Sequence, residues 1–111
     1  MNDLSKILNK IIKELDSKKA INPIVLNTQG VSSFSDYFIV ASMDSERGVK
    51  ALSEHINILL KKELKINTKT DGLSSPSWVI IDTGDIMIHL FHKDAREYYQ
   101  LESLWDNAEK E

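Results

Sequence analysis

No cysteine occurs among the 111 residues, which removes disulfides, thiolate nucleophiles and cysteine-type zinc sites together and fits a reducing compartment. Glycine is scarce as well: Gly30, Gly48, Gly72 and Gly84 stand singly, so no glycine-rich loop exists to cradle a phosphate. With only two prolines and 28% charged residues, the composition is not that of a disordered or low-complexity chain. No apolar run approaches the roughly 18 residues that cross a bilayer, and the first residues lack the charged-then-apolar profile of a signal peptide. A soluble, cytoplasmic chain with no membrane contact is the expectation. An excess of positive charge is also missing. The net charge of -3 argues against affinity built on phosphate neutralisation, and no direct specific nucleic-acid binding is expected. The lysines that do cluster (Lys6, Lys10, Lys13, Lys18 and Lys19, then Lys61, Lys62 and Lys65) read as solvated helix faces.

What is present is a core. At 41% hydrophobic content a chain of this length buries about two thirds of its unfolded surface, so residues 1–111 are read as a single domain. From Asp3 to about Lys18, Leu4, Ile7, Leu8, Ile11, Ile12 and Leu15 recur at the helical period, with Asn2 or Asp3 as cap. Asn22-Pro23 breaks that pattern, Ile24-Val25-Leu26 reads as a short strand, and Gln29-Gly30 as a turn. Tyr37 to Ala41 is aromatic and β-branched, a strand buried on both faces. Asp44 or Ser45 can cap a helix to about Lys62, with Val49, Leu52, Ile56, Leu59 and Leu60 inward. A polar strand from Lys65 to Thr70, strands at Trp78 to Asp82 and Asp85 to Phe91, and a helix from about Lys93 to Trp105 complete the order α-β-β-α-β-β-β-α. The fold class is α/β (α+β): one domain with a mixed sheet of about five strands flanked by helices.

The last two strands carry the most information. If Thr83-Gly84 is a two-residue loop, Asp82 faces Asp85, Ile80 faces Met87 and Trp78 faces His89. One sheet face is then Val79, Ile81, Ile86, Ile88 and Leu90, wholly aliphatic. The other is Trp78, Ile80, Asp82, Asp85, Met87, His89 and Phe91. Two facing carboxylates repel, so either solvent screens them or a cation or basic partner group offsets the repulsion. Aromatic and methionine side chains rimmed by charge have the composition of an interface centre; a covering helix over the inner part is the other reading.

Catalytic constellations are weak. His89 and His92 diverge at a strand end, so joint metal ligation is poor, and His55 reads as a packed or edge histidine. Ser32, Ser33, Ser35 and Ser42 lack a nucleophile elbow. The best enzymatic alternative is a metal-dependent nucleotidyltransferase-like site on Asp36, Asp82 and Asp85. No cofactor is implied otherwise.

Taken with Ser32-Ser33 and Ser35-Asp36-Tyr37-Phe38, with Trp78, Asp82, Gly84, Asp85, His89 and Phe91, and with Arg96, Tyr98-Tyr99, Leu101-Glu102 and Leu104-Trp105, the chain resembles the ribosomal silencing factor, or Iojap, family over nearly its whole length. It departs from that pattern at Met43-Asp44-Ser45, Gly48 and Lys93. The resemblance implies a nucleotidyltransferase-like fold without catalytic residues, a homodimer, and no enzymatic activity. It further implies binding to the large ribosomal subunit through the fourteenth protein of its series, which blocks joining of the small subunit and represses translation. On that basis Trp78 is expected to be the aromatic anchor, Ile80 and Met87 its apolar flanks, and Asp82 and Asp85 acceptors for basic partner groups. His89, Arg96 and Tyr98 are further contacts, while Tyr99, Leu101, Leu104 and Trp105 pack the last helix.

Overall fold

The computed structural model describes residues 4–27, 36–74, 77–99 and 109–110. The first helix, α1 (Leu4–Ser17), turns Ile7, Ile11 and Leu15 into the core. It ends where Lys19 takes a left-handed φ of 61° and the Ala20 amide donates back to the Leu15 carbonyl. Strand β1 (Ile21–Asn27) begins earlier than Asn22-Pro23 suggests. The dipeptide is absorbed as an irregularity between Ile21 and Ile24, with Asn22 at φ 49°, a conformation that asparagine tolerates.

Strand β2 (Tyr37–Met43) is buried from Phe38 through Ser42, as its apolar run from Phe38 to Ala41 between two covered faces requires. Helix α2 (Glu46–Ile58) starts at Ser45, whose hydroxyl accepts from the Gly48 amide at 2.9 Å. It runs into a π-helical turn, Leu59–Glu63, and is tied to the next strand by Asn57, which accepts from Thr68 Oγ1 at 2.7 Å and donates to Thr70 Oγ1 at 3.0 Å. That strand, β3 (Lys69–Asp71), is shorter than the polar run from Lys65. Strands β4 (Trp78–Asp82) and β5 (Ile86–His92) follow, then helix α3 (Lys93–Tyr99) and a two-residue strand β6 (Glu109–Lys110). The expected continuation of α3 to Trp105, the Asn2 or Asp3 cap, the Gln29-Gly30 turn and Ser32, Ser33 and Ser35 lie outside the described residues.

The strands form one sheet in the order β3-β4-β5-β2-β1-β6. Among the described residues only β2 and β5 pair in parallel, which makes the sheet mixed, and β6 adds a sixth strand there to the five anticipated. Val25, Ile39, Ala41, Val79, Ile81, Ile86, Ile88 and Leu90 share one face with the inward residues of α1 and α2. Leu26, Phe38, Val40 and Phe91 form a smaller core on the opposite face, with Trp78, Met87 and Ala95 of α3 packed against it.

The hairpin register differs from the expected one. Thr83 closes it: its amide donates to the Ile86 carbonyl at 3.0 Å, and its hydroxyl accepts from the Ile86 amide at 3.1 Å. Gly84-Asp85 is therefore the loop, with Gly84 at φ 100° in the first loop position, where a type II′ turn takes glycine. Partners move by two residues to Trp78 with Phe91, Ile80 with His89 and Asp82 with Met87. A two-residue shift preserves every face, because side chains alternate with period two. The opposed Asp82–Asp85 pair does not form.

Gly72 and Gly84, both at positive φ, differ in what surrounds them. A Cβ at Gly84 meets nothing, whereas one at Gly72 (φ 96°) falls on the Trp78 backbone carbonyl. Gly84→Ala should cost about 1 kcal/mol from backbone strain alone. Gly72→Ala should cost at least twice that, about 2 kcal/mol or more, because the start of β4 must shift; urea unfolding of the two variants compares them directly.

Candidate docking face

Pairing across the sheet lays the second face out in rows. Asp71, Ile80, His89, Val40 and Ile24 form one; Lys69, Asp82, Met87, Phe38 and Leu26 form the next; Trp78 and Phe91 stand at the margin. Burial is graded along them. Leu26, Val40 and Phe91 are inaccessible, Trp78, Ile80, Asp82 and Met87 are half-buried, and Lys69 and Asp71 on the edge strand are exposed. The open end therefore has an aromatic and aliphatic centre with charges at its rim, the composition of a side-chain docking surface.

Trp78 is the best-defined group there. Its ring stacks on Phe91 with centroids 5.0 Å apart and planes 27° from parallel, and its Nε1–H donates to His89 Nδ1 at 3.2 Å. Ile80 and Met87 flank the same face, as the residue pattern implied. Asp82 lies at its edge, but its Oδ1 accepts from the Gly84 amide at 2.8 Å, so one oxygen belongs to the turn.

Three expected contacts are placed differently. Asp85 sits in the exposed loop rather than opposite Asp82, and its carbonyl accepts from the Asp36 and Tyr37 amides. His89 is 4% exposed, packed 4.8 Å from the Phe38 ring, and cannot meet a partner directly. Arg96 is 8% exposed; its guanidinium donates to the Ile21 carbonyl at 3.0 Å and to Ser42 Oγ at 3.3 Å, fastening α3 to the irregular start of β1. Arg96 is thus a structural clamp that its position in sequence did not disclose, since Ile21 lies 75 residues away. The side chain of Tyr98 lies outside what the structure describes.

The acidic alternative does not assemble: among the described residues, which include Asp36, Asp82 and Asp85, no three histidine or acidic side chains converge to hold a metal ion. His92 turns away from His89 and accepts from the Asp94 amide at the start of α3. His55 is exposed on α2, neither packed nor part of a site. No helix of the described residues is long and apolar enough to cross a membrane.

Sheet and face together define a small mixed α/β protein with one sheet face covered by helices and the other partly open. A family model described as "Ribosomal silencing factor during starvation" matches residues 2–111. A Bacillus subtilis protein named ribosomal silencing factor RsfS is 35% identical over 108 residues, covering 97% of this chain and 91% of its own. A crystal structure of a Chromobacterium violaceum protein superposes with a TM-score of 0.89 at 33% identity, over 94% of this chain and 87% of that one. More distantly, the mouse protein named mitochondrial assembly of ribosomal large subunit protein 1 is 28% identical over 102 residues, 88% of this chain and 44% of its own length. The chain belongs to the ribosomal silencing factor family.

Burial pushes the His89 imidazole down from 6.5 to about 4. In the unfolded chain the same group takes its proton near pH 6.5. Between these values the unfolded state binds more protons, so stability falls as pH is lowered through that window, by about 3 kcal/mol in all. Urea unfolding between pH 7 and pH 4 should show this slope, flattened in His89→Asn. Separately, Arg96→Ala should lower the unfolding free energy at pH 7 by about 3 kcal/mol through loss of a buried charged donor, as read from the denaturation midpoint.

Proposed function

We propose that this protein represses translation by docking on the large ribosomal subunit through the open end of its sheet and excluding the small subunit by volume. The observation that carries the reading is Trp78: a large aromatic ring, half-buried and fixed against Phe91, with Ile80 beside it on the same face of β4 and Met87 and the charged rim further along that face. Large aromatic rings held rigid in an interface carry much of its affinity because little side-chain entropy remains to be lost. Family membership and the name of the mouse relative support a ribosomal partner on the large subunit.

Within that subunit, the fourteenth protein of its series is the partner that the family resemblance suggests. Basic groups of the partner would meet Asp71 at the rim and the free side of Asp82. Repression requires no bond to be made or broken: occupying the joining surface is sufficient. Cytoplasmic location and the absence of catalysis belong to the same reading, and the family resemblance adds a homodimer.

Pelleting through sucrose with purified large subunits tests it. Trp78→Ala should weaken co-sedimentation about thirtyfold, the effect of losing roughly 2 kcal/mol at an anchor, while the circular dichroism stays that of the folded chain. Lys50→Ala, on the exposed side of α2, should bind as the parent does. Equal binding by the Trp78→Ala variant would remove the docking face from the mechanism.

A further inference from the structure

We propose that His89 is a positioning residue for the docking face, one that selects the orientation in which the Trp78 ring is offered to the partner. The inference rests on the reading of Trp78 as the anchor and adds to it a residue that the partner never touches.

Stacking on Phe91 holds the plane of the indole, but a stack is tolerant of rotation within that plane and of a ring flip. A hydrogen bond is not. The Trp78 Nε1–H has one direction, and it ends on His89 Nδ1 at 3.2 Å. The acceptor is itself immobile: His89 lies in the row between Ile80 and Val40, with its ring 4.8 Å from Phe38 and 6.4 Å from Phe91. The bond therefore ties the half-buried indole to the sealed part of the second face.

The imidazole meets this requirement at a cost. With Nδ1 accepting, the ring proton sits on Nε2, and that atom is buried with no hydrogen-bond partner among the described residues. Leucine or phenylalanine would fill the same space without stranding a donor. As a packing residue His89 is a poor choice; as the acceptor for the indole it is well suited, since neither of those side chains could receive the bond.

The test combines a spectroscopic reading with binding. In ¹⁵N-labelled protein, the Trp78 indole resonance, assigned by its loss in Trp78→Phe, should exchange slowly with water; in His89→Leu it should exchange as a free indole does. Large-subunit binding should weaken about tenfold in His89→Leu, the scale of one hydrogen bond, and return to within about threefold of the parent in His89→Asn, whose amide oxygen can accept in place of Nδ1. An indole already in fast exchange in the parent protein would overturn the proposal, and that measurement needs no variant at position 89 to fold. So would parental affinity in a folded His89→Leu, or His89→Asn binding no better than His89→Leu. If instead Trp78→Ala binds normally, the docking reading fails while the indole exchange still reports whether the bond exists.

Discussion

Where the hairpin closes decides which side chains of the second face of the sheet stand beside one another. The bond from the Thr83 amide to the Ile86 carbonyl, with Gly84 in a left-handed conformation beside it, sets β4 against β5. From that single closure follow the neighbours of Trp78, the pairing of Ile80 with His89, and the separation of Asp82 from Asp85. The loop is anchored beyond the hairpin too, because the Asp85 carbonyl receives the amides at the start of β2. Parallel pairing of β2 with β5 continues from there, so one turn aligns β4, β5 and β2, three of the strands that contribute to the second core.

That core is unequal to the first. Helices α1 and α2 cover one face completely with aliphatic contacts, while the second face is sealed around Leu26, Val40 and Phe91 and opens toward β4 and the edge strand. The gradient of burial makes a rigid aromatic group available without exposing the hydrophobic centre that supports it. Phe91 and His89 are wholly or almost wholly buried, and Trp78 rests on both. Rigidity at the surface is thus borrowed from packing beneath it, which is the arrangement a preorganised contact requires.

Much of this was legible in the residues. Apolar spacing gave α1 and α2, β-branched and aromatic content gave β2, β4 and β5, and the composition of the two hairpin faces was correct although the register was not. Both outcomes have one cause: alternation fixes which face a side chain takes, but any even shift satisfies it equally, and Thr83-Gly84 and Gly84-Asp85 are each acceptable loops. Pro23 was misread because its penalty in a helix is plain while its tolerance beside a bulge depends on strand pairing. Position in sequence could not show that Arg96 reaches Ile21 or that His89 is covered, since both depend on contacts between distant segments. The two residues of β6 were too few to leave a pattern.

The borders of the sheet carry a consequence of their own. At one border β3 offers three residues, two of them charged; at the other, among the described residues, β1 pairs with β6 at Leu26 and Asn27, and its remaining length is interrupted by an irregularity and by Pro23, which has no amide hydrogen to donate. Neither margin is a good template for adding a foreign strand. Recognition is thereby directed to side chains instead of main-chain amides, and self-association into extended β-structure is discouraged by the same geometry.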